Sequence, residues 1–383
     1  MKTYVFPGQG SQRKGMGENL FEKYKHQTEI ANEILGYSIK DLCINNPDHL
    51  LNQTEYTQPA MYVVNALHYQ EKIEIGDRMP DFLAGHSLGE YNALQAAGVI
   101  SFDSGLRLVK KRGELMGREK DGAMAAIINL SEQEIINVLV KSDFNTIDIA
   151  NLNTPTQIVI SGLKEDIKNV QSYFEERNAK FIVLNTSGAF HSRYMKEAKK
   201  EFENYLRGFE FEKPTIPVIS NVTATPHEPD HLKLNLSNQM IKCVRWTDSI
   251  VFLLKQGKME FEELGSGNVL TKLITAIRND TDRKQESVAT EKKISEKNIQ
   301  NDKVGMKEKN SCDLTNLKNT LNAEELVEFW NKTYPVGTKV VSNLFEIELE
   351  TKTEAMILFG HRAAVYIKGY NGYFDLKEVT PIQ

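Results

Sequence analysis

The chain has 383 residues, 40% of them hydrophobic and 26% charged, with a formal net charge of −5. This is soluble-globular usage, enough for one large domain or two to three smaller ones, and it carries no chain-wide basic field of the kind that nucleic acid requires. No apolar run approaches the roughly 18 residues of a membrane span, and Cys43, Cys243 and Cys312 lack metal or disulfide spacing. The expectation is a cytoplasmic protein with no metal and with neither membrane nor nucleic acid as a partner.

The opening stretch MKTYVFPGQGSQ has no secretory apolar core. Its TYVF reads as a short strand, followed by the Gly-rich loop FPGQGSQRKGMG. That loop fails two nucleotide templates. A dinucleotide fingerprint starting at Gly8 and Gly10 needs glycine where Arg13 stands, and a phosphate loop on Gly10 and Gly15 needs lysine where Met16 stands. What remains is a flexible loop at the carboxyl end of a strand, whose backbone N–H groups could complete an anion hole.

The next strand, within DFLAG, runs into GHSLGEYNAL. G-x-S-x-G between a strand and a helix is the nucleophile-elbow context, because the sharp turn strains the central Ser87 and glycines let strand and helix approach. Ser87 through Ala97 reads as the helix, with Gly98 as its stop. Ser87 at that N-terminus would have backbone N–H groups at hand for an oxyanion. The bland alternative is a glycine-lined helix cap with no chemistry.

SFDSGLRLVKKRGELMGREK reads as a helix of about four turns. At helical spacing Leu108, Val109, Leu115 and Met116 form one apolar stripe, and Arg112 falls in its middle. A guanidinium on a buried face needs an anion, and its planar fork suits a carboxylate. The bland reading is an ion pair with a buried Asp or Glu, or a side chain that snorkels to the surface; the sharper one is a carboxylate-bearing acyl substrate. From Gly122 to Thr186 the order strand, helix (Ser131 to Lys141), strand, strand, helix (Glu165 to Arg177), strand fits a ferredoxin-like subdomain.

A serine needs a base. His191, in NTSGAFHSRYM, stands in a loop after a strand and before a helix starting near Ser192, where catalytic bases are usually presented. His86 adjoins Ser87, but on a turn its side chain should diverge toward packing; as the neighbour of the nucleophile it is also carried as a substrate-binding candidate. His26, His49 and His68 lie away from the Gly-rich loops, His227 and His231 sit in a polar Pro-containing loop, and His361 lies in the tail.

Aromatic residues vanish between Phe261 and Phe329, across a Lys-, Glu- and Asn-rich stretch that reads as a linker. Beyond it NAEELVEFWNK suggests a short helix, and the tail suggests a small β-rich module with a hairpin turn at Asn371-Gly372. Trp330 and the aromatics of YNGYF read as core and hairpin residues.

With FPGQGSQ, GHSLGEY, the arginine of VKKRGELM, GAMAAI, NLNTPTQIVISG, GAFHS, VRWTDSI and FEELGSGNVLTKLI assembled, residues 1 to 280 resemble the malonyl-coenzyme A:acyl carrier protein transacylase family. The likeness is greatest to its free-standing members that serve polyketide synthases in trans. The resemblance implies that Ser87 is acylated, His191 is the general base, and the backbone N–H groups of Gln9 and Leu88 form the oxyanion hole. It implies that Arg112 grips the malonyl carboxylate and that the backbone carbonyl of Gln239 orients the histidine. Phe190 beside His191, with Leu88, looks like a malonyl-type choice that would reject a methyl branch; Gly188 stands where relatives often carry other residues.

The implied fold is α/β. Residues 1–121 and 189–282 form an α/β-hydrolase-like large subdomain and 122–188 an inserted ferredoxin-like subdomain; outside the resemblance, composition marks 283–320 as a linker and 321–383 as a small β-rich module of unknown role. The implied chemistry needs no cofactor, with malonyl-CoA as substrate, an acyl carrier protein as acceptor and a monomer as the working unit. An acyl hydrolase clearing stalled chains from carrier proteins is the rival reading, against which Arg112 speaks. A non-catalytic scaffold with a vestigial Ser87 is the third.

Overall fold

A computed structural model of the protein describes residues 1–283, 321–342, 345–358, 362–368, 373–377 and 379–382. The chain separates into two compact units, Met1–Glu291 and Lys292–Gln383.

In the first unit, β1 (Lys2–Phe6) is buried at every position, as a strand covered on both faces must be. Helices α1 (Glu18–Lys23), α2 (Lys25–Leu35), α3 (Ile39–Asn45) and α4 (Thr54–Glu74) follow, then β2 (Phe82–Gly85), α5 (Gly89–Ala96) and α6 (Phe102–Arg118). Ser101 caps α6 by accepting from the Ser104 amide at 3.1 Å. Its stripe of Leu108, Val109, Leu115 and Met116 is buried.

Next come β3 (Gly122–Ile128), α7 (Glu132–Lys141), β4 (Asp148–Thr154), β5 (Gln157–Leu163), α8 (Lys164–Asn169), α9 (Gln171–Glu175) and β6 (Lys180–Val183). These strands form one sheet in the order β4-β5-β3-β6, antiparallel at each pairing. The helix expected from Glu165 to Arg177 is divided at Val170, which keeps αR geometry. The kink leaves Ile167, Val170 and Phe174 together in the core under this sheet.

The chain then forms α10 (Lys196–Leu206), β7 (Val218–Ile219), α11 (Leu232–Gln239), α12 (Trp246–Lys255), β8 (Glu260–Glu263) and a helix over 269–283. The second sheet, β7-β2-β1-β8, is parallel, with Tyr4 opposite Leu83 and Glu262. The segment before α12 is tied to β4, because Val244 N donates to Ala150 O and Leu152 N to Val244 O.

In the second unit a helix over Ala323–Thr333 starts on an Asn322–Glu325 capping box. Strands β9 (Lys339–Ser342), β10 (Phe345–Glu350), β11 (Met356–Leu358), β12 (Arg362–Tyr366), β13 (Tyr373–Asp375) and β14 (Val379–Pro381) make the antiparallel sheets β10-β9-β14 and β11-β12-β13. Trp330 is buried in this unit's core with Leu326, Val340 and Val365. The Asn371-Gly372 turn, residues 284–320, His361 and Cys312 lie outside the described residues.

Candidate active site

Ser87 sits between the end of β2 and the start of α5 with φ of 50°. A non-glycine residue in that left-handed region costs roughly 1–2 kcal/mol, so its surroundings must hold it. Asn221 does so from both sides: its Oδ1 accepts from Ser87 N at 2.6 Å and its Nδ2 donates to Gly85 O at 2.7 Å. The helix start also lies against β1. A Cβ on Gly89 would fall 2.0 Å from the Phe6 carbonyl oxygen, a position only glycine can take. The helix expected from Ser87 begins instead at Gly89, because a residue at positive φ cannot belong to it.

His191 is 4% exposed and also at positive φ, 58°. Ser192, just beyond it, caps a 3-10 turn over Arg193–Met195 that runs into α10. Its Nε2 lies 2.8 Å from Ser87 Oγ and its Nδ1 lies 2.7 Å from the Gln239 carbonyl oxygen. A carbonyl only accepts, so Nδ1 carries the proton and the Nε2 lone pair faces the serine hydroxyl. Burial, and after it the Arg112 charge, push this imidazole down to about 3, which keeps it neutral and able to accept a proton at pH 7.

Arg112 is 1% exposed. Its Nη1 donates to Gln58 Oε1 at 2.7 Å, and its Nη2 to Gln239 Oε1 at 2.9 Å and to Ser87 Oγ at 3.0 Å. The Tyr91 ring lies below the guanidinium, 5.7 Å from its carbon. Among the described residues no carboxylate forms an ion pair with it, and its Nε has no partner. A buried guanidinium held only by neutral groups keeps its demand for an anion.

The remaining expected residues lie close by. His86 points away from Ser87, its Nε2 2.8 Å from Asn153 Oδ1 and its ring edge-on to Trp246, which favours packing over substrate contact. Phe190 is buried beside Gly188. The Gln9 side chain donates to Thr54 Oγ1 at 3.3 Å. Among the described residues, the main-chain N–H groups of Gln9 and Leu88 donate to no protein acceptor. A cleft of about 670 Å³, lined by Thr54, Glu55, Gly117, Arg118, Thr186 and Ser187, borders the site without containing Ser87.

His26, His49, His68 and His231 take no part in this cluster; His231 pairs with Glu228. His227 is buried and bonded to Glu90, which binds Gln239 in turn. Gln58, Glu90, Asn221 and the Gln239 side chain are not singled out by the sequence, and His227 ranks below His191 there because it sits in a polar Pro-containing loop. Only Glu90 carried a local sign, as the acid in the first turn of the helix after the elbow. Among the described residues no group of His, Cys, Asp and Glu is arranged to hold a metal, and no helix is long and apolar enough to cross a membrane.

Residues 3–311 match the acyl transferase domain family. The chain is 57% identical over 284 residues to the polyketide biosynthesis protein PksE of Bacillus subtilis, covering 74% of this chain and 37% of PksE. It is 55% identical over 284 residues to the polyketide biosynthesis malonyl CoA-acyl carrier protein transacylase PksC of the same organism, covering 74% of this chain and 99% of PksC. The crystal structure of the malonyl CoA-acyl carrier protein transacylase of Burkholderia pseudomallei superposes with a TM-score of 0.71 at 48% identity, over 73% of this chain and 98% of that one. An α/β fold in which one serine hydroxyl bonds both an imidazole and a guanidinium, together with these likenesses, makes the chain an acyltransferase that belongs to the malonyl CoA-acyl carrier protein transacylase family.

Proposed function

We propose that the protein transfers malonyl from malonyl-CoA to the phosphopantetheine thiol of an acyl carrier protein through a malonyl-Ser87 ester, supplying a polyketide synthase in trans. One observation carries this reading: Ser87 Oγ lies within hydrogen-bond reach of both the His191 base and the Arg112 guanidinium.

His191 Nε2 takes the Ser87 proton as Oγ attacks the thioester carbonyl, and the protonated imidazole returns it to the departing coenzyme A sulfur. The carrier thiol then gives its proton to His191, attacks the ester, and Ser87 Oγ is reprotonated. The oxyanion of each step rests on the backbone N–H groups of Gln9 and Leu88. Supporting that pair, the Gln9 loop packs on the elbow so closely that a Cβ on Gly8 would fall 2.4 Å from the His86 carbonyl oxygen and 3.6 Å from Leu88 N. Arg112 takes the malonyl carboxylate, and Phe190 excludes a methyl branch beside the carbonyl. His191 held by a neutral carbonyl needs no third acid, and the scheme uses no cofactor or metal. An Arg112 with only neutral protein partners favours transfer of a carboxylate-bearing acyl group over hydrolysis of stalled chains.

We read residues 1–121 and 189–282 as an α/β-hydrolase-like subdomain and 122–188 as an inserted ferredoxin-like one. Support comes from the parallel sheet whose β2 leads into the Ser87 turn and from the antiparallel order β4-β5-β3-β6. Residues 321–383 are a separate module for docking to a carrier protein or synthase, with 283–320 as the linker.

Mass spectrometry after exposure to labelled malonyl-CoA should find the adduct on Ser87 and then on the carrier. Free labelled malonate with an unlabelled carrier would favour hydrolysis, and an unmodified Ser87 would sink both.

A further inference from the structure

We propose that Glu90, held by His227, is a positioning residue that fixes the Gln239 side-chain amide and through it aims Arg112 at the acyl carboxylate. The proposal rests on the malonyl-transfer reading for its substrate, while its geometry stands independently.

Glu90 lies in the first turn of α5 and is 1% exposed. Its Oε1 accepts from His227 Nε2 at 2.6 Å and from Asn221 N at 3.3 Å, and its Oε2 accepts from Gln239 Nε2. His227 Nδ1 faces the Asn235 amide nitrogen at 3.4 Å, so the ring proton sits on Nε2 and is donated to Glu90. None of these groups touches the reacting atoms.

Gln239 stands between an acceptor and a donor. A carboxylate only accepts and a guanidinium only donates, so the Gln239 NH₂ must face Glu90 while its oxygen faces Arg112. Reversing the amide would set oxygen against oxygen at one end and N–H against N–H at the other. The same Nε2 also donates to the Ser87 carbonyl at 2.9 Å, and the main-chain carbonyl of Gln239 receives His191 Nδ1–H. One residue thus locates nucleophile, base and guanidinium.

The arrangement also resolves a conflict of charge. A direct ion pair would compensate the buried Arg112 but would close its fork to a ligand carboxylate. Relayed through the amide, the Glu90 charge polarises Gln239 toward Arg112 while taking a single Nη2 N–H, and the guanidinium Nε stays without a partner among the described residues.

The test uses Glu90→Gln, which keeps the shape and removes the charge, and Glu90→Asp, which keeps the charge and withdraws it from Gln239. Folding of each is checked by thermal unfolding. Ser87 acylation is followed with malonyl-CoA and acetyl-CoA, and Ser87 sulfonylation with phenylmethylsulfonyl fluoride and its 4-carboxy analogue. In both variants the malonyl-over-acetyl ratio of kcat/KM should fall at least about tenfold, mainly through KM. The anionic-over-neutral sulfonyl fluoride ratio should fall in parallel. Because Glu90 acts through Gln239, Glu90→Gln combined with Gln239→Met should lose no more than Gln239→Met alone. Ratios within about twofold of the parent in a folded variant, or additive losses in the pair, overturn the proposal. A parent protein that acquires no malonyl adduct overturns the transfer reading instead, and the sulfonyl fluoride ratios still decide the role of Glu90.

Discussion

Arg112 Nη2 donates to Ser87 Oγ at 3.0 Å, on the same oxygen that faces His191 Nε2 at 2.8 Å. The group that would hold the acyl carboxylate therefore also touches the nucleophile. A guanidinium this near the hydroxyl suits a short acid, whose carboxylate lies close to the carbonyl that Oγ attacks. The positive charge beside Oγ also favours the alkoxide character that develops as the proton leaves.

Removing the nucleophile or its base separates their roles. Ser87→Ala should show no malonyl adduct by intact-protein mass spectrometry. His191→Ala should still bind substrate but acylate about 10²–10⁴-fold more slowly, the usual worth of a positioned general base. An adduct on the Ser87→Ala protein would place the nucleophile elsewhere.

Arg112→Met fills the same buried space without charge. Hydrogen bonds to charged groups contribute about 1.5–3 kcal/mol each, so losing a bidentate pair should lower kcat/KM for malonyl-CoA by about 10²–10⁴-fold. Acylation by acetyl-CoA, which has no carboxylate to grip, should change far less. Equal losses for the two thioesters would remove carboxylate recognition from this residue.

The pH profile follows from His191. With its pKa pushed down to about 3 from an ordinary value near 6.5, the base is already neutral across the physiological range. Single-turnover acylation of Ser87 should show no inflection from about pH 8 to about pH 5, where an unperturbed histidine would lose most of its activity. Stability runs in the matching direction. The unfolded chain protonates this histidine near 6.5 and the folded chain does not, so its contribution is complete above that pH. It is lost progressively as pH falls toward 3. His191→Gln should flatten this part of the stability profile in urea titrations; an unchanged slope contradicts the assignment.

Gly89→Ala tests the elbow without touching a reacting group. Its Cβ would need the space of the Phe6 carbonyl, 2.0 Å away, so β1 and α5 must part. A loss of about 3 kcal/mol or more in denaturant unfolding is expected, in the range of severe overpacking. Sulfonylation of Ser87 should slow in whatever fraction remains folded. A variant as stable and reactive as the parent would refute the close approach.

Much of this site was legible because local rules are strong there. G-x-S-x-G after an apolar strand can be read as an elbow, since few other uses put a serine between glycines at a strand-to-helix turn. Arg112 announced itself by falling inside an apolar helical stripe, a contradiction that only a ligand or an internal acid could settle. His191 was favoured over the other histidines on loop position and Gly-rich surroundings, which is a weaker signal. Its contact with Ser87 across 104 positions is not written in any local spacing.

Gln58, Asn221 and Glu90 were missed, and His227 ranked low, for one reason. Each matters through a partner brought to it from another element, and an isolated Gln, Asn or His on a helix or loop has no periodicity that distinguishes it. The single helix expected from Glu165 to Arg177 was also too simple, because it is divided at Val170, a residue buried in one core with Ile167 and Phe174.

By itself the sequence determined the short-range features: the strand, elbow and helix around Ser87, and the amphipathic α6 with its misplaced arginine. These depend on backbone sterics and side-chain period, which act over a few residues. Tertiary structure alone decided that Arg112 meets no acid, that the Gln239 carbonyl fixes the His191 tautomer, and that a buried Glu90–His227 pair stands behind both. Those facts depend on which distant groups share a dry interior, where each donor must find an acceptor and each charge a counterpart.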